Sequence, residues 1–255
     1  MNTSPYVSLI LPAYNESKRI RGTIEEVGCY FQERQWTYEI IVSADGDDGT
    51  RELVAEMAVD YPAIQLIGSP GRHGKGFGLR RAMPLASGKF VGFSDADNKT
   101  SISEFDKIQP LLESGWDVVI GSRGLQDSHI EQKQSLVRQL GSKGFAVFMH
   151  TIIGLNTISD TQCGFKFFKR AVGQTLFEHQ IIDGYMYDVE ILALAEHLGY
   201  TIKQIPIRWR DDGDSRLNLV SGNLRNAWDI FRIRWNMRHH NLRHRVATEE
   251  SVSRS

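Results

Sequence analysis

Residues 90–97 read Phe90-Val91-Gly92-Phe93-Ser94-Asp95-Ala96-Asp97, an apolar and aromatic run that ends in two carboxylates one residue apart. The run predicts a strand over Phe90–Phe93, buried in the manner of a parallel sheet. On an extended segment, side chains two residues apart point the same way, so Asp95 and Asp97 can share one divalent cation with a diphosphate. Hard Mg²⁺ or Mn²⁺ suits such oxygen donors. A lone D-x-D triplet also describes a solvated acidic loop. The weight of the metal reading therefore rests on what surrounds the triplet.

Three strand–helix units precede it. Tyr6–Leu11 reads as a strand ended by Pro12, and Asn15-Glu16-Ser17 offers caps for a helix to about Gln35. Tyr38–Val42 is a second strand, followed by the acidic turn Asp45-Gly-Asp-Asp-Gly49 and a helix from Thr50 to Asp60. Ile64–Ile67 is a third, followed by the Gly-rich basic loop Gly71–Gly76 and a helix to about Leu85. Such alternation predicts a single α/β domain with a mostly parallel central sheet, and ligands gather at the carboxyl ends of such strands. Leu11–Glu16, the acidic turn, Gly74-Lys75-Gly76 and Asp95-Ala96-Asp97 all fall on that rim.

Downstream, the pattern predicts a helix over Ser103–Glu113 and strands at Val118–Ile120 and Phe165–Phe168. It adds a helix over Val189–Leu198, an alternating edge strand over Thr201–Trp209 and a last helix over Asn223–Leu242. From about Thr248 the tail is expected to fray. The expected organisation is a catalytic domain over 1–220, a basic amphipathic helix over 221–246 and a flexible tail over 247–255.

Composition narrows the class. With 255 residues, 41% of them hydrophobic, the chain can bury a core, so disorder is excluded. A net charge of −1 lacks the basic excess of a general nucleic-acid binder. Cys29 and Cys163 lie far apart and form no CxxC, which argues against structural zinc and for a reducing compartment. The N-terminal residues lack a signal-peptide pattern, and the apolar stretch Phe145–Leu155 is well short of the roughly 20 residues a spanning helix needs. The expected location is cytoplasmic, peripheral to the cytoplasmic face of a membrane.

Gly74-Lys75-Gly76 is not a Walker A loop, because Ser69 and Gly76 stand where Gly and Ser or Thr are required. It also fails the GxGxxG fingerprint. Hydrolase and dehydrogenase readings thereby lose their main support. What remains is a loop whose Lys75 meets a diphosphate, or a Gly-rich turn with a solvated lysine.

Taken together, Leu11-Pro-Ala-Tyr-Asn-Glu16, Gly74-Lys-Gly76, Asp95-Ala-Asp97, Gly121-Ser-Arg123, Asp160–Lys166, Asp188-Val-Glu190 and Arg210–Arg216 resemble the family 2 glycosyltransferases of GT-A fold. Within them, the pattern is similar to the dolichyl-phosphate glucosyltransferases and next to the dolichyl-phosphate mannosyltransferases. The resemblance implies a Rossmann-like nucleotide-diphospho-sugar transferase domain. It implies Pro12, Tyr14, Glu16 and Asp45 around the nucleotide's base and ribose, and Asp95 and Asp97 on the metal and sugar diphosphate. Arg123, Arg138 and Ser142 would receive an acceptor phosphate. Arg210 and Ser215 would close over the donor phosphates, with Arg216 where the family usually has lysine. Two departures stand out. Ser43-Ala-Asp45-Gly-Asp-Asp replaces the usual aspartate pair followed by Gly-Ser, and Lys99 replaces a glutamine of the mannosyltransferase branch, which weighs against GDP-mannose.

The implied reaction moves a hexose, glucose from UDP-glucose in the first reading, onto a polyprenyl phosphate with inversion. A hydroxyl acceptor needs a positioned carboxylate base, for which Asp188 is the candidate. A phosphate monoester, with a second pKa of about 6, is already anionic and needs cations to place it instead. GDP-mannose as donor, a saccharide hydroxyl as acceptor, and a non-catalytic nucleotide-sugar-binding or scaffold protein remain alternatives. Other residues read more simply: Cys163 as a small buried residue, Asp160 and Gly164-Phe165 as a turn that fixes the next strand, and Asp188 and Glu190 as helix-start charges.

In the last helix, Leu224, Trp228, Phe231 and Trp235 recur on one face, and Ser221–Val246 holds six Arg against one Asp. That pattern fits a membrane interface; it also fits a helix packed on its own domain.

Overall fold

The computed structural model describes residues 4–125, 128–130, 151–210 and 221–239. Its central sheet has seven strands: β1 (Val7–Tyr14), β2 (Tyr38–Asp45), β3 (Ile64–Ile67), β4 (Phe90–Ser94), β5 (Val118–Ser122), β7 (Phe165–Lys169) and β8 (Ile202–Pro206). A separate two-stranded ladder joins β6 (His129–Ile130) to β9 (Arg208–Trp209). The helices are α1 (Ile20–Glu33), α2 (Thr50–Asp60), α3 (Lys75–Ala82), α4 (Phe105–Glu113), α5 (Arg170–Glu178), α6 (Tyr187–His197) and α7 (Ser221–His239).

The sheet order is β3-β2-β1-β4-β7-β5-β8, with β7 antiparallel to both neighbours and every other pair parallel. Both faces are covered, which is why the strands are apolar on both sides. Ile10, Ile41, Val91, Phe93 and Phe168 pack toward α3, α5 and α6. Leu9, Leu11, Ile40, Val42 and Phe167 pack toward α1, α2 and α4. The strand order reverses direction between β1 and β4, and a crevice at such a switch point is where open α/β sheets bind ligands.

Three expectations need correction. Pro12 does not end β1, which runs on to Tyr14. Pairing with β4 stops at Ile10↔Phe93, so Pro12 lies where β1 has a neighbour on one side only and its missing N–H is tolerated. Thr201–Trp209 is not one strand. Ile207 turns into the core between β8 and β9, and β9 leaves the main sheet to pair with β6. The helix α5 had no expected counterpart, because Gly173 interrupts its pattern. Its glycine lets the helix approach the sheet, since a β-carbon there would press on Val91 and Met83.

Candidate active site

Six strands run parallel and end on the same rim, and antiparallel β7 begins there. Tyr14 and Asp45 are register partners at the ends of β1 and β2. Asp95 and Asp97 follow β4, Ser94 pairs with Phe165 at the start of β7, and Arg123 follows β5. The sequence-predicted residues of all these loops are therefore brought together across the switch point. Arg210 immediately follows β9, and its N–H donates to the Lys99 carbonyl at 2.9 Å. Arg138, Ser142, Ser215 and Arg216 lie outside the described residues.

The β3-β2-β1 half builds a polar floor around Asp45. Its carboxylate accepts the N–H groups of Ser69 and His73, each at 3.2 Å, and the His73 ring stands 3.2 Å away. Arg72 covers the exposed ring of Tyr14 at 4.7 Å. Pro12 lies along the same strand and Glu16 just beyond it, its N–H bonded to Thr50 Oγ1 at 2.9 Å. Asp48 behaves differently from Asp45. Burial raises its pKa, but bonds from Thr50 and Ser17 outweigh that and hold it at about 2, so it ties the turn before α2 to the segment before α1.

Lys75 is half-buried and lies in a helix rather than in a loop. It opens α3, donates to Asp95 Oδ1 and lies 5.6 Å from the ring centroid of Tyr187. Burial opposes its charge, yet Asp95 and Asp188 outweigh burial and keep the ammonium well above its ordinary pKa. Asp97 shows the opposite imbalance. Burial and the neighbouring Asp95 charge raise its pKa, and Lys99, 3.7 Å away, only partly offsets them. Among the described residues no group of three metal-binding side chains occurs, so Asp95 and Asp97 form a pair. Two carboxylates in this state of mutual repulsion, made of hard oxygen donors, fit a divalent cation.

Across the site, both acidic side chains on the β7 side are committed to cations. Asp160 accepts from Arg123 through its backbone N–H (3.0 Å), Nε (2.7 Å) and Nη2 (2.9 Å). That fork leaves Nη1 as the guanidinium nitrogen facing outward from the pair. Asp188 meets Lys166 at 2.6 Å, with side-chain exposures of 3% and 0%. Lys166 also donates to the Cys163 carbonyl at 2.5 Å. The Cys163 thiol is buried and pushed up to about 12, which removes it as a nucleophile.

Gly164 has a role that the sequence pattern left as a turn. A β-carbon there would collide with the carboxylate of Asp95, so its absence is what lets β7 begin beside that aspartate. The clue in the sequence is a glycine placed directly before a buried strand, which signals close approach only when the neighbouring strand is known.

An α/β sheet with paired aspartates at its switch point and cations beside them is an arrangement suited to binding a metal-bound diphosphate. The family described as Glycosyl transferase family 2 matches residues 8–177, and the chain belongs to that family; it is a glycosyltransferase. It is 33% identical over 239 residues to Dolichyl-phosphate beta-glucosyltransferase ALG5C of Trichomonas vaginalis, covering 89% of this chain and 70% of the relative. The structure is similar to mannosyl-3-phosphoglycerate synthase from Rubrobacter xylanophilus, with a TM-score of 0.65 at 19% identity, covering 90% of this chain and 72% of the other. It is also similar to the mannosyltransferase PcManGT from Pyrobaculum calidifontis in complex with GDP-Man and Mn²⁺, with a TM-score of 0.56 at 18% identity, covering 89% and 62%. These likenesses show the GT-A fold.

Proposed function

We propose that the protein moves glucose from UDP-glucose onto a polyprenyl phosphate of dolichyl or undecaprenyl type, with inversion at C1 and no covalent intermediate. The observation that carries this reading is the state of the two carboxylates across from the D-x-D pair. Asp160 is forked by Arg123 and Asp188 is buried against Lys166, so neither is poised to deprotonate a hydroxyl. A phosphate acceptor needs no such base. The similarity to a dolichyl-phosphate glucosyltransferase supports the same acceptor and sugar.

In this reading Pro12, Tyr14, Glu16 and Asp45 hold the base and ribose, and Lys75, Arg210, Ser215 and Arg216 hold the donor phosphates. Asp95 and Asp97 hold Mg²⁺ or Mn²⁺, which when bound neutralises charge on the leaving diphosphate. The solved neighbour that carries Mn²⁺ supports that choice. Arg123, Arg138 and Ser142 place the acceptor phosphate. Its oxygen supplies the electron pair of the new C1–O bond, and the old bond's pair leaves with the diphosphate. No proton moves. Arg123, fixed by Asp160, contributes proximity and charge rather than acid–base chemistry.

The last helix supports contact with a membrane surface, which in this reading is the cytoplasmic face. No described helix is long and apolar enough to cross one. The helix α7 has two apolar faces rather than the single one expected. Ile230 and Ile233 are buried against the domain, whereas Trp228, Phe231 and Trp235 are 66%, 51% and 67% exposed, next to exposed Arg225, Arg232 and Arg238. Aromatic rings beside arginines suit an anionic lipid interface.

The test is incubation with radiolabelled nucleotide sugars, Mg²⁺ or Mn²⁺ and polyprenyl phosphate, followed by organic extraction. Label from UDP-glucose should enter the lipid phase as a β-linked product. Label from GDP-mannose alone would move the reading to a mannosyltransferase, and label in soluble saccharide would overturn the lipid acceptor.

A further inference from the structure

Lys99, the residue that departs from the mannosyltransferase pattern, is held in a specific place. Its carbonyl accepts the Arg210 N–H at 2.9 Å, which ties the loop after Asp97 to the end of β9. Its ammonium, on a side chain only 11% exposed, lies 3.7 Å from Asp97 Oδ2 and 5.6 Å from the ring centroid of Trp209. The guanidinium of Arg123 lies 5.5 Å from the same centroid. One indole thus organises two cations that come from different strands, β4 and β5. Tryptophan is the strongest aromatic partner for a cation, and the interaction strengthens when the site is desolvated.

The position of this cluster decides which phosphate it serves. The Asp45 floor, with Ser69 and His73, lies on the β3-β2-β1 half of the sheet, where the nucleotide belongs in the reading above. Trp209 and Arg123 lie on the other half, at β9 and the end of β5, and Lys99 reaches toward them through the Arg210 N–H and the Trp209 ring. We propose that Lys99 and Arg123, spaced by Trp209, form the cationic seat for the acceptor's phosphate, and that Lys99 is the residue that makes this site select a phosphomonoester over a neutral alcohol. This rests on the acceptor assigned under the proposed function. A second full positive charge beside Arg123 favours a dianion, because each charge-assisted bond to phosphate is stronger than a neutral one. Asp97 and Asp160 each already offset one of these cations, and a neutral hydroxyl gains nothing from the charge that a phosphate dianion would meet here.

The experiment uses the full chain and farnesyl phosphate as a soluble probe of the acceptor. Steady-state kinetics with UDP-glucose as donor should show Lys99→Gln raising the acceptor KM at least tenfold while the donor KM changes less than twofold. Lys99→Arg should restore most of the loss, and Trp209→Leu should reproduce it, because both cations lose their spacer. An unchanged acceptor KM in Lys99→Gln overturns the proposal, and so does a rise confined to the donor KM. Calorimetric titration of farnesyl phosphate against wild type and Lys99→Gln separates this from the proposed function. Binding that weakens at least tenfold in the variant supports the seat even if no sugar is transferred. Equal binding by both proteins, or none by wild type, removes it. If Lys99→Gln fails to fold, the Trp209→Leu and Lys99→Arg pair decides the outcome by the same acceptor and donor KM values.

Discussion

Lys166 Nζ lies 2.6 Å from Asp188 Oδ1, a lysine on β7 joined to an aspartate in the first turn of α6 with almost no solvent at either. Asp188 is the carboxylate that a hydroxyl acceptor would call on as base, and here it is tied to a buried lysine. Removing one partner strands a buried charge, which costs on the order of 3–5 kcal/mol. Asp188→Asn is therefore expected to lower the urea midpoint strongly, and replacing Lys166 and Asp188 together by Met and Leu should recover much of it. Asp188→Asn with wild-type stability and no transferase activity would instead mark Asp188 as the base.

Asp97 is destabilised by its surroundings. Its folded pKa is raised by burial and by Asp95, so its contribution to stability is present below the ordinary carboxylate range and is lost as pH rises through the raised value. Asp97→Asn should raise the melting temperature of the metal-free protein at neutral pH while abolishing transfer. A lower melting temperature for the variant would contradict this, and an active variant would remove Asp97 from the chemistry.

Glu190 gives a second pH signature. Burial outweighs the N–H groups of Ile181 and Ile182, which bond its two oxygens at 2.9 Å each, and lifts its pKa from 4.5 to about 7. A raised carboxylate favours the folded state at low pH and loses that advantage as pH climbs from 4.5 through about 7. Stability measured by urea unfolding between pH 5 and pH 8, a window of about the usual carboxylate-to-neutral range, should fall with pH, and Glu190→Gln should flatten that fall.

Gly164→Ala tests the close approach of β7 to the metal pair. The new methyl group must displace Asp95, so turnover should fall by about tenfold or more, the range expected when a catalytic group is misplaced. Circular dichroism should stay unchanged. Full activity would show that Asp95 has room to shift.

For α7, flotation with anionic liposomes should be lost when Trp228 and Trp235 are both changed to Ser, since both rings are exposed and Ile230 and Ile233 still hold the helix on the domain. Unchanged flotation would remove that helix as the contact.

Much of the fold can be read from periodicity. The third strand falls on Ile64–Ile67 as expected, and the D-x-D pair follows a buried strand as expected. Direction is not carried by periodicity, so nothing in Phe165–Phe168 announced that β7 runs antiparallel and delivers Gly164 to Asp95. The pairs Lys166–Asp188 and Arg123–Asp160 were equally invisible, because each joins residues that only the sheet order brings together. Asp45 and Asp48 look interchangeable in the acidic turn. They separate only once Asp48 is seen bonded to Ser17 and Thr50 while Asp45 ends a strand beside Tyr14.

The central claim is that cations, not a base, position an acceptor that already carries its charge. The most direct measurement offers the protein UDP-glucose with Mg²⁺ or Mn²⁺ and an equimolar mixture of polyprenyl phosphate and the corresponding free polyprenol, then resolves the labelled lipids. All label should appear in glucosyl polyprenyl phosphate. Comparable label in glucosyl polyprenol would require a base to activate the hydroxyl and would contradict the account.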